Sequence, residues 1–426
     1  MRMIQRIAWG MAVILGGVAP VLASSVGGTS GGEVLSIPVG ARAIGMGEAY
    51  TAMADDVSSL YWNPAGIAIL NQSQASFMYA QWLKDLTYHN ASVAVPLENG
   101  GLGASLSYLS YGDIQGFDTK GSPTGSINAY SGVATIGGAW LGDVWSAGFN
   151  LKGIQGELAD VKATGFATDL GATLVYPKEV LGGTLRGAGA IRNLGSGLKY
   201  IDQSDPFPRE WRVGLAAVQM MNQKLNLSLD YGQQRDLDGS VYMGAEYRAS
   251  HFIALRAGYA GSHTESSGIR AGIGLRHKDL SFDYAFSPYG DLGMTHRYEL
   301  TMRFGTNRPL LTPEMRRMLR QAKIAMAKGR FGEATMLLDS LIQMESRYTP
   351  FHRLIKTAMA GYEKQGEMAK NLTALDLSLL YGKKPTKEDN DEVQYLETLL
   401  GTSDEPATAN ARGNLQPASS GGGKTP

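Results

Sequence analysis

Cysteine is absent from all 426 residues. That excludes disulfides, thiolate metal sites and anchoring through a lipidated cysteine. Charge is scarce too: Asp, Glu, Lys and Arg make up 18% of the chain, against about 25% in soluble proteins. The 39 basic and 39 acidic residues cancel, so nothing marks a nucleic-acid partner. After the first two dozen residues no apolar run reaches the length of a helical membrane span. The six histidines (89, 251, 263, 277, 296 and 352) stand apart, without metal-ligand spacing. No Gly-x-Ser-x-Gly elbow occurs, and Gly45-Met46-Gly47 lacks the third glycine of a dinucleotide fingerprint. Gly423-Lys424-Thr425 mimics a phosphate loop but has no helix to follow it. No catalytic residue, metal or cofactor is expected.

What the chain has is glycine, 55 of 426 residues, nearly double the usual share of about 7%. It also opens like an exported protein. Arg2 and Arg6 precede an apolar run from Ile7 to Leu22, and Val21-Leu22-Ala23 offers small residues for cleavage. Residues 1–23 are therefore expected to be a signal peptide.

From residue 73 to 305 one pattern repeats: about ten residues alternate apolar with small or polar, then the chain turns. Fourteen runs are read, near 74–82, 88–97, 101–111, 128–141, 144–155, 165–177, 183–193, 209–219, 223–234, 239–249, 252–261, 266–276, 278–286 and 294–304. In one, Leu225, Leu227, Leu229 and Tyr231 oppose Asn226, Ser228 and Asp230; in another, Tyr298, Leu300, Met302 and Phe304 oppose Arg297, Glu299, Thr301 and Arg303. Period two over this length suits a membrane barrel, with lipid on one face and lumen on the other. The even count fits as well. The run at 183–193 is the weakest, and a soluble propeller or sandwich is the alternative. Trp82, Trp140, Trp145, Trp211, Tyr259, Tyr284 and Tyr298 near run ends are read as interfacial girdles.

The polar faces carry a surplus of arginine, including Arg186, Arg192, Arg248, Arg276 and Arg303. The lumen-facing candidates are Arg212, Asp230, Glu246, Arg256, Arg270, Asp283, Arg297 and Glu299. They form either an ion-paired lining or a cationic path for a carboxylate head.

Residues 24–72 are neither strand nor surface helix. Gly40-Ala41-Arg42-Ala43-Ile44-Gly45-Met46-Gly47 leads to Asp55-Asp56 and then Tyr61-Trp62-Asn63-Pro64-Ala65-Gly66. Small residues, two acids and an Asn-Pro turn ahead of a barrel predict a plug. Its gating candidates are Asp55, Asp56, Trp62, Asn63, Pro64, Ala65 and Gly66, with wall arginines as partners of the acids. The plug is expected near the periplasmic end, with both chain termini on that side.

After Phe304 the period changes from two to 3.6. Thr312-Pro313-Glu314 starts a helix, and Met315, Met318, Leu319, Ala322 and Met326 make its stripe. Ala334, Leu337, Leu338, Leu341 and Ile342 make a second, after Gly329-Arg330-Phe331. Two further helices are read on either side of Gly366, and Gly329 and Gly366 recur near the tetratricopeptide period of about 34 residues. A fifth helix from Thr386 to Leu400 would cap the domain, 312–400, and residues 401–426 read as a disordered tail.

The motifs at 40–66, with Phe282-Asp283-Tyr284-Ala285-Phe286, Gly290-Asp291-Leu292-Gly293 and Thr295-His296-Arg297, resemble the FadL (long-chain fatty-acid transporter) superfamily, most closely its PorV/PorQ branch. The resemblance covers roughly residues 30–305. It implies a fourteen-stranded outer-membrane barrel with an N-terminal hatch to which Asn63, Pro64 and Ala65 belong. The expectation is thus an all-β transmembrane barrel of about fourteen antiparallel strands with a luminal plug, followed by a small all-α, tetratricopeptide-like periplasmic domain. A plugged conduit for hydrophobic or amphipathic molecules follows, with outer-membrane lipid around it and a ligand such as a fatty acid. The PorV branch implies instead a type IX secretion shuttle or anchor, recruiting a periplasmic or secreted protein through residues 312–400.

Overall fold

The computed structural model describes residues 30–159, 161–180, 182–200, 203–261, 267–308, 311–346 and 348–380. The expected signal peptide, fifth helix and tail lie outside them. The chain divides into two units, at Thr312/Pro313.

Among the described residues of the first unit, fourteen antiparallel strands close into a barrel. They are β1 (Ser73–Gln81), β2 (Thr87–Leu97), β3 (Gly100–Ser110), β4 (Ala129–Leu141), β5 (Trp145–Leu158), β6 (Val161–Val175) and β7 (Thr184–Gly195). Then come β8 (Glu210–Gln219), β9 (Leu225–Gln234), β10 (Ser240–Arg248), β11 (Ile253–Ala260), β12 (Ile269–His277), β13 (Leu280–Pro288) and β14 (Met294–Phe304). Each strand pairs with its neighbour in sequence. Pairing of Ser73 with Phe304 through Gln81 with His296 closes the ring. The weak run forms β7, rich in Gly and Ala, with a register shift against β6 between Thr168 and Leu170.

Alternation sets the two faces, and the barrel is apolar outside and polar inside. On β14, Tyr298, Leu300 and Met302 are exposed while Arg297, Glu299 and Thr301 are buried. Phe166, at 76% exposure, and Leu106, at 64%, mark the same outer wall. Hydrocarbon is the solvent that such a wall suits, because closure leaves no unpaired strand edge. No helix among the described residues is long and apolar enough to cross a membrane.

Connections differ at the two mouths. At the terminal mouth, where β1 begins and β14 ends, β2–β3, β4–β5 and β12–β13 are joined by a few residues. The opposite mouth carries the long links 111–128, with a hairpin of Ile114–Phe117 and Pro123–Ile127, and 196–209. Trp82 departs from its expected girdle position. It packs against an inner apolar cluster, and Arg297 stacks 4.7 Å from its ring centroid. Its place just beyond the end of β1 frees it from strand alternation.

Residues 30–72 run through the inside of this wall in short turns: a 3-10 turn (Glu33–Ser36), α1 (Ala41–Gly45), α2 (Ser59–Trp62) and a second 3-10 turn (Pro64–Ile69). The start of the segment is at the opposite mouth. Gly31 N donates to Pro206 O at 2.8 Å, Ser30 Oγ to Asp236 at 3.1 Å, and Ser36 Oγ to Gln234 at 3.2 Å. Its end, Leu70 to Gln72, delivers the chain to β1 at the terminal mouth. The apolar run Val34, Leu35, Ile37 and Val39, ahead of the stretch from Gly40 to Gly66, packs against Met78, Tyr88, Leu109 and Phe207.

Glycine makes this fit. Gly47 lies in the left-handed region (φ 64°), and a Cβ there would stand 2.3 Å from Tyr259 N. Across from it, a Cβ on Gly258 would meet Gly47 N at 2.2 Å, so segment and wall touch backbone to backbone.

The second unit contains α3 (Pro313–Ala327), α4 (Phe331–Met344) and α5 (Thr349–Leu380). Met315, Ala322, Ala334, Leu338, Leu341, Phe351 and Ala358 are buried between them, as amphipathic stripes require. Gly329 (φ 72°) turns the chain between α3 and α4. The expected break at Gly366 is absent, since α5 continues through it. Good helix formers flank Gly366 (Glu363-Lys364-Gln365 and Glu367-Met368-Ala369-Lys370), and no proline stops the helix. A Cβ at Gly366 meets nothing within 4 Å. Gly366→Ala should therefore stabilise α5 by about 0.5–1 kcal/mol, read as slower hydrogen exchange over 349–380 in the full chain. Faster exchange would restore the turn.

Candidate functional site

The hub of the polar contacts inside the barrel is Arg42, on α1. Its Nη1 meets Asp55 Oδ1 at 2.6 Å and Asp56 Oδ2 at 3.1 Å, while its Nε lies 2.8 Å from Glu246 Oε2. Nη2 reaches the other Glu246 oxygen at 3.0 Å. This is a two-point grip on a wall carboxylate, the geometry in which guanidinium binds best. Glu246 is shared: Arg256 Nε contacts it at 2.8 Å, and Arg256 Nη1 continues to Asp283 Oδ1 at 2.6 Å. Asn226 Nδ2 donates to Glu246 at 2.9 Å. One chain of charges thus joins the segment to β9, β10, β11 and β13.

Further contacts pin the segment around the ring. Ala41 N donates to Glu299 at 2.8 Å, and Thr51 N to Asp230 at 2.8 Å. Arg212 Nη1 donates to Glu48 O at 2.7 Å, and Arg192 Nη1 to Tyr61 O at 3.1 Å. Both arginines pair with Glu210 and flank Trp62, the guanidinium carbons of Arg192 and Arg212 lying 5.3 and 5.2 Å from its ring. The indole Nε1 of Trp62 donates to Val39 O at 2.7 Å, which ties α2 to the chain just ahead of α1.

The Asn-Pro turn sits against β5 and β6. Asn63 Nδ2 donates to Thr51 O at 2.9 Å and to Thr173 Oγ1 at 3.1 Å, and its Oδ1 accepts from Ala65 N at 3.1 Å. That last bond caps the 3-10 turn, with Pro64 at its first position. A Cβ at Gly148 would lie 2.5 Å from Pro64, and one at Gly171 2.1 Å from Asn63 Oδ1. Gly66 is pressed on Ala54 O in the same way. Pro64, Ala65 and Gly66 are all buried.

All eight lumen-facing candidates are buried on the inner face. Arg212, Asp230, Glu246, Arg256, Asp283 and Glu299 join the contacts above. Arg270 and Arg297 stand apart, nearer the opposite mouth. Arg270 has Glu48 at 4.0 Å and the Tyr289 ring at 4.7 Å. Arg297 donates to Thr295 Oγ1 at 3.0 Å. The partner expected for Asp55 and Asp56 is revised. Arg186 of the wall comes only to 3.8 Å of Asp55, and the main partner is Arg42 of the segment itself.

Sequence reasoning did not assign roles to Arg42, Tyr50, Glu48, Glu210, Lys152 or Asp169. Lys152 and Asp169, 2.8 Å apart and buried, occupy polar-face positions of β5 and β6, so alternation could have found them. Arg42 offered no such signal, because turns have no periodicity.

Asp56 carries an acid–base consequence. Burial, the largest single influence, would raise its carboxyl, but the Arg42 charge and the hydrogen bonds from Ser58, Tyr50 and Arg42 together outweigh it. The carboxyl is held below the usual carboxylate range. Arg42 and Asp56 also form one wall of a cavity of about 510 Å³ at the terminal mouth.

Comparison with known proteins gives partial matches. The model of an uncharacterised protein family, UPF0164, matches residues 24–170. A UPF0164 protein of Treponema pallidum (strain Nichols) is 28% identical over 123 residues, which are 28% of this chain and 29% of that protein. The matched region therefore spans less than a third of that relative. Among solved structures, the toluene transporter TbuX of Ralstonia pickettii aligns over 63% of this chain and 98% of its own, at 13% identity and a TM-score of 0.45. The CymD monoaromatic hydrocarbon channel covers 67% of this chain and 100% of its own, at 12% identity and a TM-score of 0.44. A FadL homologue of Pseudomonas aeruginosa covers 62% and 97%, at 12% and 0.38. Similarity this low establishes nothing about the activity of this chain.

A lowered carboxyl pKa stabilises the fold fully above its unfolded value, near pH 4, and that stability is lost as pH falls through the lower folded value. The melting temperature of the wild type should therefore fall more steeply below about pH 4 than that of Asp56→Asn. At neutral pH the variant should be about 1–3 kcal/mol less stable. Parallel pH curves would show that Asp56 is not held by charge.

Proposed function

We propose that this chain is an outer-membrane barrel in which residues 30–72 act as a plug and gate a conduit for hydrophobic or amphipathic small molecules. One observation carries the reading: the lumen holds a segment joined to the wall through side-chain ion pairs, chief among them Arg42–Glu246, and through hydrogen bonds, without strand pairing. Such contacts are separable. Losing one partner of a buried pair costs about 3–5 kcal/mol and leaves the other charge uncompensated.

Several features support the rest of the reading. The apolar outer wall suits a bilayer, and the export-like start suits delivery to an outer membrane. Short links at the terminal mouth and long ones opposite suit a periplasmic and an extracellular side, respectively. Inside the opposite mouth, Val34, Leu35, Ile37 and Val39 meet Met78, Tyr88, Leu109 and Val133. An apolar solute entering there would meet matching surface. The motif that resembles the fatty-acid transporter superfamily is also the stretch that supplies Arg42, Asp56 and Asn63.

A second reading, recruitment of a protein partner through the helical unit, draws on one observation. Met336, Met344, Met359 and Tyr362 are exposed on α4 and α5, and methionine and tyrosine are common at adaptable interfaces. A type IX secretion anchor would be one form of it.

Uptake of a neutral apolar fluorophore into proteoliposomes separates the readings. The wild type should conduct slowly, and Arg42→Ala, which frees the segment from Glu246, should conduct several-fold faster. Equal, background-level uptake by both would remove the conduit and leave the helical unit as the functional part.

A further inference from the structure

The terminal mouth holds charge that the lumen network does not use. Arg248, Arg276 and Arg303 stand at the ends of β10, β12 and β14, each at an inward position. All three line the cavity of about 510 Å³ beside Arg42 and Asp56. Neighbouring strands lie about 4.7–4.9 Å apart, so these alternate strands space the arginines by about 10 Å around one arc of the rim. Lys224, from the β8–β9 link, lines the same cavity.

The acids of the cavity are already engaged. Glu246 is gripped by Arg42 and Arg256, Asp283 by Arg256, and Asp56 by Arg42. Glu299 accepts the Ala41 N–H. By contrast, Arg248 and Arg276 make no ion pair among the described residues, and the Arg303 guanidinium donates among them to the Ser281 hydroxyl, at 2.7 Å. Like charges set on one arc repel each other, so the arrangement favours a ligand that brings negative charge. Guanidinium groups match planar or tetrahedral oxyanions in particular.

We infer that Arg248, Arg276 and Arg303 form an oxyanion-binding rim over the terminal-mouth cavity, taking the carboxylate or phosphate group of a small molecule. The rim recognises the head group at the cavity entrance, and the Arg42–Asp56 cluster behind it closes the inner end. The inference does not depend on conduction: a barrel that fails to pass apolar solutes can still bind anions here, and the two are read by different assays.

The test is binding to the full chain in zwitterionic nanodiscs, by calorimetry, with three probes: inorganic phosphate, decanoate and decanol. The two anions should bind at least tenfold tighter than decanol. The combined change Arg248→Gln, Arg276→Gln and Arg303→Gln should lower anion affinity at least tenfold and leave decanol unchanged. The matching three-lysine variant should retain most of the affinity. Equal binding of phosphate and decanoate assigns a hydrophilic anion, and tighter decanoate assigns an amphipathic one; either supports the rim. Decanol binding as tightly as decanoate, or glutamine and wild-type proteins binding anions alike, would overturn it. Unchanged melting temperature in the glutamine variant shows that a loss is not unfolding, and loss in a protein that melts early is judged on the lysine variant.

Discussion

Charge placed on the inner wall of a closed barrel has to be neutralised away from bulk water, and here pairs within the wall and the chain's own segment do it together. Arg42 joins the segment's own Asp55 and Asp56 to Glu246 of the wall, which Arg256 also holds. The net energy of such a network is small, since removing each ion from water costs several kcal/mol and the pairing returns about that much. Its value is positional. Asp230, Glu246 and Glu299 lie 179, 204 and 258 residues along the chain from their partners in the segment, and they surround α1 and its neighbours only when the ring is closed. Segment and wall therefore specify each other.

Space imposes the companion constraint. A lumen that admits a folded segment leaves little room for side chains on both partners, and the wall yields by using glycine. Gly148 and Gly171 receive the Asn63-Pro64 turn, while Gly258 receives Gly47. The high glycine content read from the sequence is in this sense a record of close packing rather than of flexibility. The same contacts explain why small residues crowd the stretch from Gly40 to Gly47.

The barrel was legible because its signal is periodic. β9 and β14 show apolar and polar faces along most of their length, with Gln233 and His296 the departures on the outer face, and fourteen runs correspond to fourteen strands. β7 was faint because Gly and Ala give alternation little contrast. The inner segment was legible in outline only. Asn63-Pro64 announces a turn, but nothing local tells that Arg42, not a wall arginine, will hold Asp55 and Asp56. That depends on three-dimensional proximity within a non-periodic stretch. Trp82 was misplaced for a related reason, since alternation stops at the strand end and a residue just beyond it can turn inward. Gly366 misled in the other direction: a glycine in a strong helical context is a local cost, and the rest of α5 absorbs it.

The central claim is that residues 30–72 cross the lumen from the opposite mouth to the terminal one. Because the chain has no cysteine, paired substitutions report this position cleanly. Ser36→Cys combined with Gln234→Cys, treated in native membranes with a short thiol cross-linker, should link efficiently. Ser36→Cys combined with Arg276→Cys, at the terminal mouth, should not. Linkage of the second pair in place of the first would put the segment at the wrong end of the barrel and contradict the account.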